Sequence, residues 1–281
     1  MPITRRGALL GAAGTLPAAA GARAQQAPRD PVVRIGVLAD FSGPYRDTSG
    51  PISVACAQQA VQDAGLSARG VRVEVVQGDH QNRPDAALTL ARRWFDQDGV
   101  DMVCDVNNSA IALAVANLAR EKDKAQLASG AASYALTGEQ CSSHTIQWTT
   151  TPGCSPTRSA APPSATAAIP GTSSPPNQEH AGTYSACLHF LKAVAELGPA
   201  RGKASSGEAV RRMKATPTDD GCFGPGLIRD DGRKIHPAHL FEVKSPAESR
   251  GPWDHYKLAG TVPADQAFRP LEEGGCPLVR R

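Results

Sequence analysis

Residues 100–129 read VDMVCDVNNSAIALAVANLAREKDKAQLAS, and the changes of texture inside them decide the fold. The run 100–106 is short and mostly apolar, as a strand buried on both faces should be. Asn107, Asn108 and Ser109 follow, residue types whose side chains satisfy the unpaired N–H groups at a helix start. Residues 110–124 then carry a helix, and 125–129 return to a strand. Strand, helix and strand in so little chain predict a parallel pair joined by a crossover helix.

The same alternation runs upstream. VVRIGVL at 32–38 reads as a buried strand between Pro31 and the loop Asp40-Phe41-Ser42-Gly43-Pro44. Ile52, Cys56, Ala60 and Val61 space a helix over 51–64, which Gly65 stops. VRVEVV at 71–76 alternates as a strand. Asn82-Arg83-Pro84-Asp85 opens a helix through Leu88, Leu90, Ala91 and Phe95 that ends at Gly99. Residues 31–135 therefore hold four strands alternating with helices. That is the α/β class: a doubly wound parallel sheet of about four βα units, with right-handed crossovers and helices on both faces. Ligands of such sheets sit beyond the carboxyl ends of the strands.

Downstream the texture breaks. Residues 153–176 hold 21 Gly, Ser, Pro, Ala or Thr among 24, and none is acidic. A segment without apolar spacing cannot build a core, so 153–180 is expected to be a disordered, low-complexity stretch. Order resumes near Ala181. Tyr184, Leu188, Leu191 and Val194 space a helix that Gly198 closes, and 234–244 and 253–262 read as two strands joined by a turn over 246–252. The tail 181–281 lacks a strand–helix–strand repeat.

Residues 1–24 read as an export leader. Arg5-Arg6 is followed by an uncharged Ala/Gly-rich stretch, and Ala22-Arg23-Ala24 is a small-x-small cleavage site that would leave Gln25 first. TRRGALL at 4–10 resembles a twin-arginine signal. The stretch is shorter than the roughly 20 apolar residues that span a bilayer. No Cys follows the cleavage site, which argues against a lipid anchor. Arg5, Arg6 and Arg23 account for the whole formal charge of +3, so the remainder is neutral and offers no electrostatic case for nucleic acid or an anionic membrane surface. Periplasmic export permits disulfides among the seven Cys, and the odd number leaves at least one thiol over. No CxxC pair, P-loop or GxGxxG occurs. No metal or cofactor is expected.

VRIGVLADFSGPYRD, GDHQNRPDAA, NNSAIALAVANLA and SGAASYALTG resemble the first lobe of ABC-transporter substrate-binding proteins, in the branch that includes leucine/isoleucine/valine-binding proteins. AGTYSACLHFLKAV, DDGRKIHPAHLFEVKSPAESRGPWDHYK and FRPLEEGGCPLV resemble the end of that family's second lobe. The likeness covers 31–152 and 181–281. It implies a type I periplasmic-binding-protein-like fold with one intact lobe, 25–152, and an incomplete second lobe, a helix and a β-hairpin, over 181–281. The second lobe's strand–helix units are absent, and the low-complexity stretch stands in their place. An internal deletion or shifted reading frame would leave this pattern, and so would a real shortened protein with a linker.

For the site, the residues and the resemblance point to one place. A helix N-terminus presents unpaired N–H groups and a positive dipole end to an anion, and Asn108 and Ser109 sit at such a start. Gly130-Ala131-Ala132-Ser133 follows the fourth strand, small enough for backbone to approach a ligand. Tyr45 can wall the site. The resemblance implies that Ser109, Ala131 and Ser133 hold an amino acid's carboxylate and amine, and that the second lobe normally adds an aromatic residue and a carboxylate, for which no matching position is found. Asn108 and Ser109 also read simply as caps, and Tyr45 as a surface turn residue. The implied partners are a small-molecule ligand, an amino acid or similar solute, and an inner-membrane ABC permease, with the chain a monomer. Cys141 and Cys276 fall in stretches that carry the resemblance, which implies a disulfide between them.

Three rival readings stay open: a ligand sensor on the same scaffold, a Cys141/His144 amidase, and a non-functional remnant. His236 and His239 would lie on opposite faces of a strand, a poor metal pair. Asp79-His80, Asp219-Asp220 and Asp230-Asp231 read as turns.

Overall fold

The structure is a computed structural model, and it describes residues 32–149, 177–251 and 254–280. The leader, its cleavage site and the stretch 153–176 lie outside these residues. β1 (Val32–Ala39), β2 (Arg72–Asp79), β3 (Met102–Asp105), β4 (Ala125–Ala128) and β5 (Thr145–Gln147) form one parallel sheet in the order β2-β1-β3-β4-β5. The sheet has one strand more than the sequence pattern indicated. β5 is three residues long and carries two buried polar side chains, Thr145 and Gln147, so no apolar run marks it.

α1 (Gly50–Ala64) covers one face, while α2 (Pro84–Arg93) and α3 (Ser109–Glu121) cover the other. The period-two alternation of β1 sorts the core. Ile35 and Val37 join the α1 side, and Leu38 joins Val103, Ile111 and Val115 on the α3 side. Gly36 is required by this packing, because a Cβ there would stand 2.7 Å from the Trp94 ring. α3 ends at Glu121, three residues before the expected Lys124, since Asp123 takes a left-handed φ of 49° on the way into β4.

The tail departs most from expectation. α4 (Gln178–Leu197) begins inside the stretch assigned to 153–180, because Asn177 and His180 form a reciprocal cap: the Asn177 side chain accepts from His180 N, and His180 Nδ1 accepts from Asn177 N. α4 is not set apart in a second lobe. Ala186, Cys187, Phe190, Leu191 and Val194 lie in one core with β1, β3, β4 and α1. Burying Phe190 completely contributes roughly 1.5–3 kcal/mol, and this is the physical reason the helix docks on the first sheet. α5 (Pro199–Ala204) and α6 (Ser206–Ala215) continue around the amino ends of the strands, where Ser206 Oγ donates to Asp101 O at 2.8 Å.

The expected strand 234–244 is broken. β6 (Leu227–Ile228) pairs with β7 (Lys234–Ile235), and Pro237, which has no N–H to give, separates β7 from β8 (Ala238–Val243). β8 pairs with β9 (Tyr256–Val262) as an antiparallel hairpin bulged at Leu240/Phe241. His236 is buried between Phe223 and Phe268, and His239 meets Thr261. A short helix, α7 (Ala264–Ala267), follows. Of the carboxylates read as turns, Asp219 and Asp230 are exposed. Asp231 is buried with Arg229, and Asp220 pairs with the buried Lys234. Among the described residues no helix is long and apolar enough to cross a membrane.

Candidate functional site

The register brings one row of residues to the carboxyl edge of the sheet: Gly78, Leu38, Asp105, Ala128 and Gln147 are successive partners across the five strands. The loops that leave this row contain every residue singled out for ligand contact. After β1, the buried Asp40 carboxylate accepts from Gly43 N at 2.7 Å and Tyr45 N at 3.1 Å. This fixes the backbone of Tyr45, whose side chain stands in solvent. Asp79 accepts from Phe41 N, Ser42 Oγ and Gln81 N. Burial pushes the Asp79 carboxyl up, but these hydrogen bonds outweigh it and hold it below its ordinary value. Asp79 thus ties the first two loops together.

After β3, the side chain of Asn108 is fully committed. Its Oδ1 accepts from Ala110 N at 2.9 Å and Ile111 N at 3.1 Å, and its Nδ2 donates to Asn82 Oδ1 at 2.6 Å. Asn108 therefore acts as the cap of α3. Ser109, half-buried at the first turn, has neither its hydroxyl nor its N–H taken by any described residue, so it is the group of this pair still able to meet an anion.

After β4, Ala131 is buried and Ser133 Oγ accepts from Ala135 N at 3.3 Å. Gln147 organises this loop, its Nε2 donating to Ala131 O at 2.8 Å and to Ser133 O at 3.0 Å. Sequence reasoning missed Gln147 together with its strand. Gly130 has no room for a side chain: a Cβ would lie 2.5 Å from Asn107 Cβ and 3.1 Å from Glu179 Oε2.

Beneath these loops lies a polar layer that no motif announced. Asp105 ends β3 with φ 72°, and Val106 follows at φ 52°. Two non-glycine residues in the left-handed region mark backbone strain at the edge of the site. Asp105 Oδ2 accepts from Ser49 Oγ at 2.7 Å, while Oδ1 is buried with no hydrogen bond. Ser53 Oγ, also unbonded, sits near the same carboxylate. His80 Nδ1 accepts from Asn82 N, so its Nε2 carries the proton and donates to Asn107 Oδ1 at 2.9 Å. Asn107 Nδ2 is left buried and unbonded, as is Glu179 Oε2 in the first turn of α4. Burial raises Asp105 to about 6. Burial and then the charge of Asp105 raise Glu179 to about 8. Burial lowers His180 to about 4, although its ring bonds Ser49 O.

Cys141 and Cys276 are joined as a disulfide, with Cα atoms 5.6 Å apart. Arg269 adds a second tie, donating to Thr137 O at 2.8 Å. With its sulfur so engaged, Cys141 has no thiol to act as a nucleophile. His144 instead meets Ser143 Oγ and Asp123 Oδ1, both at 2.9 Å, on the chain leading into β5. Among the described residues no group of three or more His, Cys, Asp or Glu could hold a metal ion.

A parallel α/β sheet with its loops gathered at the carboxyl edge is the first-lobe architecture of type I periplasmic binding proteins. A periplasmic binding protein from Burkholderia mallei matches at TM-score 0.79 and 24% identity, over 89% of this chain and 100% of the other. A branched chain amino acid ABC transporter periplasmic ligand-binding protein from Burkholderia xenovorans matches at 0.77 and 23%, over 88% and 99%. A solute binding protein of an ABC transporter from R. palustris, in complex with benzoate, matches at 0.67 and 13%, over 88% and 99%. At these identities the likeness is one of fold. The periplasmic binding protein family profile matches residues 32–162 and 164–251, and the chain belongs to that family. A comparison with curated proteins finds no match.

Proposed function

We propose that this chain is the periplasmic solute-capturing component of an ABC importer, and that it takes an amino acid or a related small carboxylate. The observation that carries the reading is the carboxyl edge itself. The free first-turn groups of Ser109 and the Gln147-braced loop with Ala131 and Ser133 leave the same edge of one sheet. A helix start and small-residue backbone are suited to an anionic headgroup. Structural relatives whose descriptions name a branched chain amino acid or benzoate point to ligands that share a carboxylate. The unbonded carboxyl oxygens of Asp105 and Glu179 beneath the loops favour a solute that also donates hydrogen bonds. Tyr45, exposed on the loop after β1, is available to wall the site if it turns toward the ligand. After removal of residues 1–24, the loaded chain would work as a monomer and deliver its solute to an inner-membrane permease.

Among the described residues there is one parallel sheet, hence one wall of the cleft that two-lobed binding proteins close around a ligand. A cleft with one wall is expected to hold its solute weakly. That a middle block has been lost by deletion or frameshift, as the sequence pattern suggests, is part of the same proposal.

Thermal melting of the purified chain tests the proposal. Leucine and benzoate at tens of millimolar should raise the Tm where leucinamide and benzyl alcohol do not, and Ser109→Ala should remove the rise. If no carboxylate-bearing solute shifts the Tm, the assignment fails.

A further inference from the structure

Four described cysteines remain as thiols, Cys56, Cys104, Cys187 and Cys222; all four are buried, and Cys104, Cys187 and Cys222 lie in the same core between the sheet, α1 and α4. Two of them touch: Cys187 Sγ lies 3.7 Å from Cys104 Sγ, across the contact between β3 and α4. We propose that Cys104 and Cys187 form a second disulfide when the chain folds in an oxidising compartment. The inference rests on the export reading for its oxidant.

The geometry favours this pair over the other combinations. It is the one pair of described thiols in direct sulfur contact, and both side chains are wholly enclosed. The sulfurs must close by about 1.7 Å to reach the disulfide bond length. The chemistry is thiol–disulfide exchange. One cysteine thiolate attacks a disulfide-bonded oxidant, forms a mixed disulfide and releases one oxidant thiolate. The second cysteine thiolate then displaces the other oxidant sulfur, which closes the Cys104–Cys187 bond. The oxidant gains two electrons, and its two released thiolates take up, through water, the two protons that the cysteine thiols lost, so that it leaves as a dithiol.

Timing follows from burial. The hydrogen bond to Cys187 and burial push the Cys104 thiol well above its ordinary value, so thiolate is scarce once the core is closed. The bond has to form while α4 is docking, and afterwards the same enclosure shields it from reductants. It joins residues 83 apart in sequence, and like Cys141–Cys276 it ties the chain before residue 150 to the chain after 177. The gain for the site is the position of α4, whose first turn places Glu179 against Gly130 and His180 against Ser49.

Peptide mapping reads this directly, because trypsin places Cys104 in 94–120 and Cys187 in 159–192, with no other cysteine in either. The full chain should be refolded in a glutathione redox buffer and, in parallel, recovered from the periplasm. Each sample is denatured without reductant, alkylated and digested. The expected result in both is a cross-linked 94–120/159–192 pair, with Cys56 and Cys222 alkylated. Cys104→Ala should leave Cys187 alkylated, and if that variant fails to fold, Cys187→Ala should leave Cys104 alkylated. Alkylated Cys104 and Cys187 in the refolded chain, or a bond from either to Cys56 or Cys222, would overturn the proposal. A cross-link in the refolded chain that is missing from the cellular chain would support the pair and count against export.

Discussion

β3 is preceded by one buried aspartate and ends on another, and the fold treats them in opposite ways. At the amino edge, Asp101 is saturated: it accepts from Arg34 N at 2.9 Å, Lys203 Nζ at 3.0 Å and Lys124 Nζ at 3.4 Å. At the carboxyl edge, Asp105 accepts from Ser49 alone, in a strained backbone, with one oxygen unbonded. The same side chain, four residues apart, is a staple at one end and an unfinished contact at the other. Buried polar groups are ordinarily satisfied, and Asp105, Asn107 and Glu179 leave unbonded atoms on the edge where we propose that the solute binds.

Asp101→Ala should produce the largest effect at the amino edge. It strips the acceptor from Arg34 N and two lysines and should cost about 3 kcal/mol, read by urea unfolding. Asp105→Asn keeps an acceptor for Ser49 and no longer buries a charge, so at pH 8 it should leave stability unchanged or raise it. A loss at Asp105 as large as that at Asp101 would break the contrast.

Gly130→Ala comes next. A methyl group 2.5 Å from Asn107 Cβ has to displace the loop, at about 2 kcal/mol and with loss of any ligand response. The contrast is also visible in pH. Glu179 rises from 4.5 to about 8 and Asp105 from 3.8 to about 6 on folding. These two carboxyls bind more protons in the folded chain, whereas His180, lowered to about 4, and His236, lowered to about 3, bind fewer below the ordinary histidine range. The net fall in stability with rising pH is therefore expected between about 6.5 and 8, where Glu179 still titrates. Glu179→Gln should flatten the upper part of that slope in melts taken across the range. Asn108→Ala should have the smallest effect, about 1 kcal/mol for a lost helix cap, and it should leave the pH slope intact.

The β3–α3–β4 unit was legible because apolar strands, Asn caps and helical spacing all agree. β5 was hidden by its brevity and its buried Thr145 and Gln147, so the brace under Ala131 and Ser133 was hidden with it. The start of α4 lies just after a Pro/Ser-rich stretch, and its cap uses His180 where Glu or Gln is usual. Nothing local in Gln178-Glu179-His180 indicates a docking face. Asp105 did leave a trace, a lone acid at the end of the apolar run Met102-Val103-Cys104, but burial there depends on partners far away in sequence. Asn108 was read both as a cap and as a ligand contact, and its side chain serves the cap.

The most direct test of the account is a two-dimensional amide NMR titration of the full chain with leucine and with benzoate, which detects millimolar binding and locates it. The account predicts shifts clustered in 40–50, 106–110 and 129–134, with the amino-edge residues 99–101 and 203–207 unmoved. Shifts centred on the amino edge or on the β8–β9 hairpin, or none at saturating ligand, would contradict a solute site at the carboxyl edge of the sheet.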